Sequence, residues 1–151
     1  MTTENIAQRL EEIYQGEPWF GESIQTKLKS ITGDKAYYQP VNNKHSIAEI
    51  LGHMEFWRKS FILQLKGEDS SAFNGDSPDN WPSVEELKKR GWKNQLSSFE
   101  DTHRTLVGLL KSHNKTLNGD LMNNLNGLVD HDIYHLGQIG MVKSLTNGKP
   151  N

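Results

Sequence analysis

The sequence predicts an all-α fold, a four-helix bundle formed by a single domain that spans residues 1–151. Apolar residues recur every three or four positions through four long segments, which is the spacing of one helix face. The strict alternation that is typical of strands is nearly absent. Four amphipathic helices in a chain of one-domain length bury their apolar faces by packing into a bundle.

The first predicted helix covers residues 3–15, and a Thr stands at its expected N-cap. Gly16-Glu17-Pro18 interrupts the pattern, which resumes over residues 24–31, so we expect this first element to be broken or sharply kinked. Residues 33–44 are predicted to be a connection, since Pro40 and two asparagines are turn formers.

Two capping boxes mark the second and third helices. Ser46 with Glu49 predicts a helix to about Lys66, and Ser83 with Glu86 predicts a third helix to about His113. The loop between them, residues 67–82, is long and rich in turn formers, as functional or mobile loops often are. After a turn at residues 114–119, a fourth helix is predicted over residues 120–145, and residues 147–150 are expected to end it.

Composition and charge exclude several classes of protein. The chain is 34% hydrophobic and 24% charged with a net charge of −2, as is ordinary for a soluble domain. No polybasic run is present, which weighs against a nucleic-acid partner or electrostatic membrane attachment. No segment is apolar enough to span a bilayer, and the N-terminus lacks signal-peptide features, so a cytoplasmic protein is expected. The absence of cysteine excludes disulfides, thiolate ligands and a cysteine nucleophile.

A metal site must therefore use His, Asp or Glu. His131 and His135 are four residues apart on the fourth helix, so their side chains stand one turn apart on one face, with Cβ atoms about 5–6 Å apart. That face also carries the core leucines. His53 lies at the edge of the buried stripe of the second helix, and bundles build metal sites from such facing side chains. The sequence thus favours one divalent ion held by His53, His131 and His135, although each could instead be a satisfied core histidine.

The other three histidines are weaker candidates. His45 precedes a helix cap and is expected to be exposed, His103 falls on the seam of the third helix, and His113 suits the negative end of that helix's dipole.

A metal-bound imidazole usually donates its other N–H to an oxygen acceptor. Glu49, Asp132 and Gln138 are candidates for that role, although Asp132 could equally bridge two helices and Gln138 could be an ordinary satisfied polar group. Tyr134 is expected to point away from the histidine pair. Aromatic residues near the site, such as Trp57, Phe73 and Trp81, could wall a pocket, but core packing is the simpler expectation.

Four stretches of the chain resemble the DinB/YfiT-like superfamily, whose members are described as metal-dependent hydrolases. The most specific are NNKHSIAEILGHMEFWR (42–58) and HDIYHLGQIGMVKSL (131–145), and IYQGEPWFGESI (13–24) and DNWPSVEEL (79–87) agree with them. The resemblance implies an up-down-down-up bundle, usually a homodimer, with a nickel or zinc site whose ligands carry over to His53, His131 and His135. The stretch KTLNGDLMNNLNG (115–127) departs from the family pattern in being short and lacking an aromatic turn, which bears on the shape of the pocket.

Characterised relatives implied by the resemblance include thiol-dependent S-transferases that use bacillithiol or mycothiol, and a maleylpyruvate isomerase. An ion with three protein ligands keeps open positions, where it can activate a water molecule or bind a thiolate. Any thiol must arrive as a cosubstrate. The sequence leaves three hypotheses open: a metal-dependent hydrolase or S-transferase acting on a small molecule, a non-enzymatic stress-related metal binder, and an interaction bundle whose histidines are incidental.

Overall fold

The structure is a computed structural model in which residues 2–147 are described. These residues form an all-helical fold whose elements are α1 (Thr3–Gln15), α2 (Ile24–Leu28), α3 (Gly33–Tyr37), α4 (Ile47–Lys66), α5 (Val84–Arg90), α6 (Trp92–Ser112) and α7 (Gly119–Asn147). A 3-10 turn, Pro78–Asn80, lies in the loop that follows α4. The last helix was expected to end at residues 147–150; Asn147 still lies in α7, and residues 148–150 lie outside the described residues.

The helix starts follow from local capping chemistry. Ser46 and Ser83 each accept a hydrogen bond from the backbone N–H three residues on, and Glu49 and Glu86 each accept one from the backbone N–H of the cap residue. Asn118 caps the start of α7, because its Oδ1 accepts a hydrogen bond from Leu121 N at 2.7 Å. Both predicted capping boxes are thus present, and each satisfies backbone donors that a helix end leaves free.

Two of the predicted elements differ in the structure. The predicted third helix is divided into α5 and α6 at Gly91, whose φ of +87° ends one helix and reorients the chain for the next. The predicted connection at residues 33–44 contains the short helix α3, which was not expected because five residues are too few to show a period. The predicted break after the first helix is confirmed, since α1 ends at Gln15 and α2 begins at Ile24.

The four long helices pack around one apolar core. α4 contacts α6 and α7, and α1 contacts the same two helices from the other side. The core between them is formed mainly by aliphatic side chains, among them Ile6, Leu10, Leu51, Leu106, Leu125 and Ile139, all with 0% exposure. This arrangement brings the middle of α4 directly against the middle of α7. Among residues 2–147, none of the helices has the length and apolar content that crossing a membrane would require.

At Gly52, the loop that follows α4 packs tightly against the helix. A Cβ at this position would lie 2.6 Å from Cγ of Pro82, a ring that cannot rotate away. We expect Gly52→Ala to destabilise the protein by about 1–3 kcal/mol, because overpacking outweighs the gain in helix propensity. Gly108→Ala is the matched control, since a Cβ there meets nothing within 4 Å, and it should be neutral or stabilising. Urea unfolding of both variants measures the difference, and equal midpoints would contradict the prediction.

Candidate metal centre

Three imidazoles from two helices converge where α4 packs against α7. His53 projects from α4, and His131 and His135 project from consecutive turns of α7. Nε2 of His131 lies 3.0 Å from Nε2 of His53 and 3.1 Å from Nε2 of His135. One nitrogen from each of the three rings lies within 4.8 Å of the others. The structure therefore brings together the three histidines that the sequence singled out.

Hydrogen bonds at the far side of two rings fix which nitrogen faces the cluster. Nδ1 of His53 lies 2.9 Å from the carbonyl oxygen of Asn80, and Nδ1 of His135 lies 2.6 Å from Oε1 of Gln138. Because these oxygens can only accept, each Nδ1 carries the proton and donates it. The Nε2 lone pairs of both rings are thus left free and directed toward the cluster.

The protonation state of the cluster suits a cation. Burial lowers the pKa of His53 to about 4, and the neighbouring charges of His131 and His135 lower it further against the opposing hydrogen bond to Asn80. Burial likewise lowers the pKa of His135. Metal binding requires deprotonated imidazole, so these two rings are already in the binding form at neutral pH. Three imidazoles are a donor set that suits zinc and nickel, and the residues present fit a divalent ion.

Trp81 covers one side of the cluster. Its indole stacks on the ring of His53 with centroids 3.8 Å apart and planes within 4° of parallel. On its other face it stacks on His45, at 3.7 Å and 7°. His45 in turn lies 3.6 Å from Oε1 of Glu49. The loop after α4 therefore contributes both a hydrogen-bond acceptor (Asn80) and an apolar wall (Trp81) to the candidate site.

A chain of buried polar groups leads away from His131. Asp132 is fully buried, and Nη2 of Arg58, also fully buried, donates to its Oδ2. Nη1 of Arg58 lies 2.7 Å from Nδ1 of His103, whose Nε2 lies 3.3 Å from Oε1 of Glu11. Burial raises the pKa of Asp132, but the charge of Arg58 and the adjoining His131 outweigh it, so the pKa lies below its usual value. Asp132 is therefore ionised.

Of the three residues expected to orient the imidazoles, Gln138 and Asp132 lie beside a ring of the cluster, and Glu49 lies at the start of α4. Gln138 contacts His135, and Oδ1 of Asp132 lies 3.7 Å from Nδ1 of His131. Glu49 instead caps the start of α4 and binds the segment that precedes this helix. Its Oε2 accepts from Ser46 N at 2.7 Å and from Nε2 of Gln39 at 2.8 Å. These contacts, with burial opposing them, place the pKa of Glu49 below its usual value.

The aromatic residues also divide. Trp57 and Phe73 pack against Phe56, with ring centroids 5.3 and 4.8 Å away, in keeping with plain packing. Tyr134 is 64% exposed, yet its ring lies 5.0 Å from that of His135 and its hydroxyl accepts from Gln138 at 3.1 Å. Tyr134 therefore borders the site, contrary to the sequence expectation, because a tyrosine one position before His135 can lean across it.

Sequence reasoning missed Asn80, Arg58 and the stacking role of His45. Asn80 acts through a backbone carbonyl, which no side-chain pattern reveals. The one available signal for Arg58 was its place among apolar neighbours on the buried stripe of α4, where an unpaired cation would be costly.

The buried His103 gives the stability of the protein a specific pH dependence. Burial and the charge of Arg58 lower its pKa from 6.5 to about 3. Between pH 6.5 and about 3, His103 binds a proton in the unfolded chain but not in the folded chain. Its contribution to the free energy of unfolding is therefore complete above pH 6.5 and is lost as the pH falls toward 3. The slope reaches about 1.4 kcal/mol per pH unit. We expect His103→Gln to remove this pH dependence. Unfolding curves of both proteins measured from pH 7 to 4 test it, and stabilities that fall in parallel with pH would contradict the prediction.

Comparisons with known proteins identify a family. The model of the DinB superfamily matches residues 22–139, a range that includes all three histidines. No curated protein and no solved structure matches the chain significantly.

Proposed function

The chain belongs to the DinB superfamily, and from that premise we propose that it binds one divalent metal ion, nickel or zinc, through His53, His131 and His135. The observation that carries the proposal is the convergence of the three Nε2 atoms, 3.0 and 3.1 Å apart. Three lone-pair nitrogens this close repel one another unless a proton or a cation lies between them. Two of the rings carry their proton on the opposite nitrogen, so a cation is the simplest partner for all three.

We further propose that the protein is an enzyme acting on a small molecule, either a hydrolase or an S-transferase. A divalent ion held by three imidazoles supplies Lewis acidity to a water molecule or a thiol at its open positions. The chain's own residues hold the imidazoles through Asn80 and Gln138 and exclude water from one side through Trp81. With no cysteine in the chain, a thiol would be a cosubstrate.

A second candidate is a non-enzymatic metal-binding protein. It is favoured by the state of Asp132, the carboxylate beside His131, which is fully buried and paired with Arg58. A carboxylate in that state is poorly suited to act as a general base. The two candidates share the metal site and differ only in turnover.

Elemental analysis of protein purified without a His-tag tests the metal site first. We expect close to one zinc or nickel per chain after loading and dialysis, and a clearly substoichiometric content would contradict the proposal. Turnover of the loaded protein against esters, amides and pairs of an electrophile with a thiol then separates the two candidates. Activity that survives His135→Ala would place the chemistry elsewhere.

The proposal includes the assembly expected from the family resemblance, a one-domain up-down-down-up bundle that forms a homodimer. Tyr134, Met141 and Leu145 support a dimer, because they lie on one face of α7 and remain 64%, 65% and 46% exposed. Sedimentation at micromolar concentration gives the oligomeric state, and a monomer would rule out this part of the proposal.

A further inference from the structure

The four long helices are joined by one continuous chain of buried polar groups. It runs from Glu11 on α1 through His103 on α6 and Arg58 on α4 to Asp132 on α7, next to His131. Arg58 and Asp132 have no exposed surface, and His103 is 1% exposed. Burying such groups costs free energy that an apolar core would not incur, so the chain calls for a role other than stability.

The direction of the hydrogen bonds shows what each member does. The guanidinium of Arg58 has only donors, so Nδ1 of His103 accepts and its Nε2 carries the proton toward Glu11. Burial lowers the pKa of His103 to about 3, which agrees with a neutral ring that accepts from Arg58. Because an arginine does not release its proton in proteins, the chain cannot conduct protons through Arg58. It can only hold groups in place.

Where this series of polar groups reaches His131, one hydrogen bond is missing. Nδ1 of His131 and Oδ1 of Asp132 are both buried, each lacks a hydrogen-bond partner, and they lie 3.7 Å apart. The corresponding Nδ1 atoms of His53 and His135 already donate to an oxygen. Asp132 is thus the acceptor available to the third imidazole, and a small rotation of either group would complete the set.

We propose that Arg58 and His103 are positioning residues of the metal site, which hold Asp132 with its Oδ1 facing Nδ1 of His131. The inference rests on the proposed metal site. One arm of the guanidinium fixes Oδ2 of Asp132 and the other is fixed by His103, so the carboxylate cannot swing away from His131. An imidazole oriented in this way is a stronger and better aligned ligand than a free one.

Zinc affinity of full-length variants, measured by competition with a chromophoric chelator at pH 7, tests the proposal. Loss of an outer partner typically lowers metal affinity by about 10–100-fold, so we expect Arg58→Met near the upper end and His103→Leu near the lower end. His103→Gln should recover the wild-type affinity, because its amide oxygen can accept from Arg58. His103→Leu and His103→Gln leave no unpaired charge, which keeps the test valid if Arg58→Met folds poorly.

Glu55→Gln is the matched control. Glu55 is on the same helix as Arg58, is 2% exposed and pairs with Lys59 and Arg90, so its contacts include none of the groups that link Glu11 to Asp132. It should lose stability and keep its zinc affinity. In zinc-loaded protein labelled with ¹⁵N-histidine, the Nδ1–H of His131 should exchange slowly in wild type and His103→Gln and rapidly in His103→Leu.

The outcomes separate the inference from the function on which it rests. Wild type that binds neither zinc nor nickel would contradict the metal site itself. Stoichiometric zinc in wild type with His103→Leu and Arg58→Met within about twofold of its affinity would overturn the positioning role alone. An equal loss in Glu55→Gln would show a general effect of destabilisation and would also overturn it.

Discussion

His131→Ala is expected to lower zinc affinity by more than about 100-fold, or about 2.8 kcal/mol, a larger effect than the loss of an outer partner. His131 is central to the cluster, because its Nε2 lies near those of both His53 and His135. Its loss leaves two imidazoles on different helices without the ring between them. Isothermal titration with zinc measures the affinity, and thermal unfolding with and without zinc gives an independent reading.

The thermal measurement has a defined expectation. Zinc at about 100 times its dissociation constant should stabilise the wild type by about 2.7 kcal/mol, and the same concentration should stabilise His131→Ala by no more than about 0.4 kcal/mol. His113→Ala is the control, since it also removes one imidazole but from the residue that follows α6. Equal stabilisation of His131→Ala and wild type by zinc would mean that the ion binds somewhere else.

Arg58→Met is expected to cost about 3–5 kcal/mol of stability, a large fraction of the 5–15 kcal/mol that holds a typical domain folded. The variant leaves the carboxylate of Asp132 fully buried without the charge that keeps it ionised. Its Oδ1 already lacks a hydrogen bond, so neither oxygen would have a strong donor. Urea unfolding at pH 7 gives the difference in free energy.

The double variant Arg58→Met/Asp132→Leu distinguishes the cost of leaving a buried charge unpaired from the loss of the ion-pair contact itself. Replacing both ions by apolar side chains should recover most of the stability, because the main cost lies in the unpaired charge and not in the absent bond. Arg104→Met is the surface control: its partner is Glu100 one turn away, both groups are exposed, and the change should be within about 0.5 kcal/mol. A double variant as unstable as Arg58→Met would contradict this explanation.

The parts of the fold that the sequence predicted depend on local rules. Capping boxes at Ser46 and Ser83 need only four residues each, and the apolar spacing of α4 and α7 repeats over many turns. Gly91 was not recognised as a break because a lone glycine within a periodic pattern is tolerated by many helices. Its φ of +87° in the structure is a backbone conformation that the apolar spacing of the sequence does not reveal.

The candidate site also contains some residues that the sequence could predict and others that it could not. The pair His131 and His135 could be found because both are on one helix at a regular interval, and His53 because its helix pattern placed it near the core. The contacts of Asn80 and Trp81 could not be found, since a loop has no period that orients its side chains. The partnership of Arg58 with Asp132 joins residues 74 positions apart and depends on which helices are neighbours.

One loop supplies both of the groups that hold His53 from outside the cluster. The carbonyl of Asn80 fixes one edge of the ring, and the adjacent Trp81 lies flat against its face. If residues 67–82 lifted away from α4, His53 would regain its freedom to rotate while His131 and His135 stayed fixed on α7. The dwell time of a bound ion would then follow the opening frequency of this segment, so kinetic release and equilibrium affinity could be altered separately.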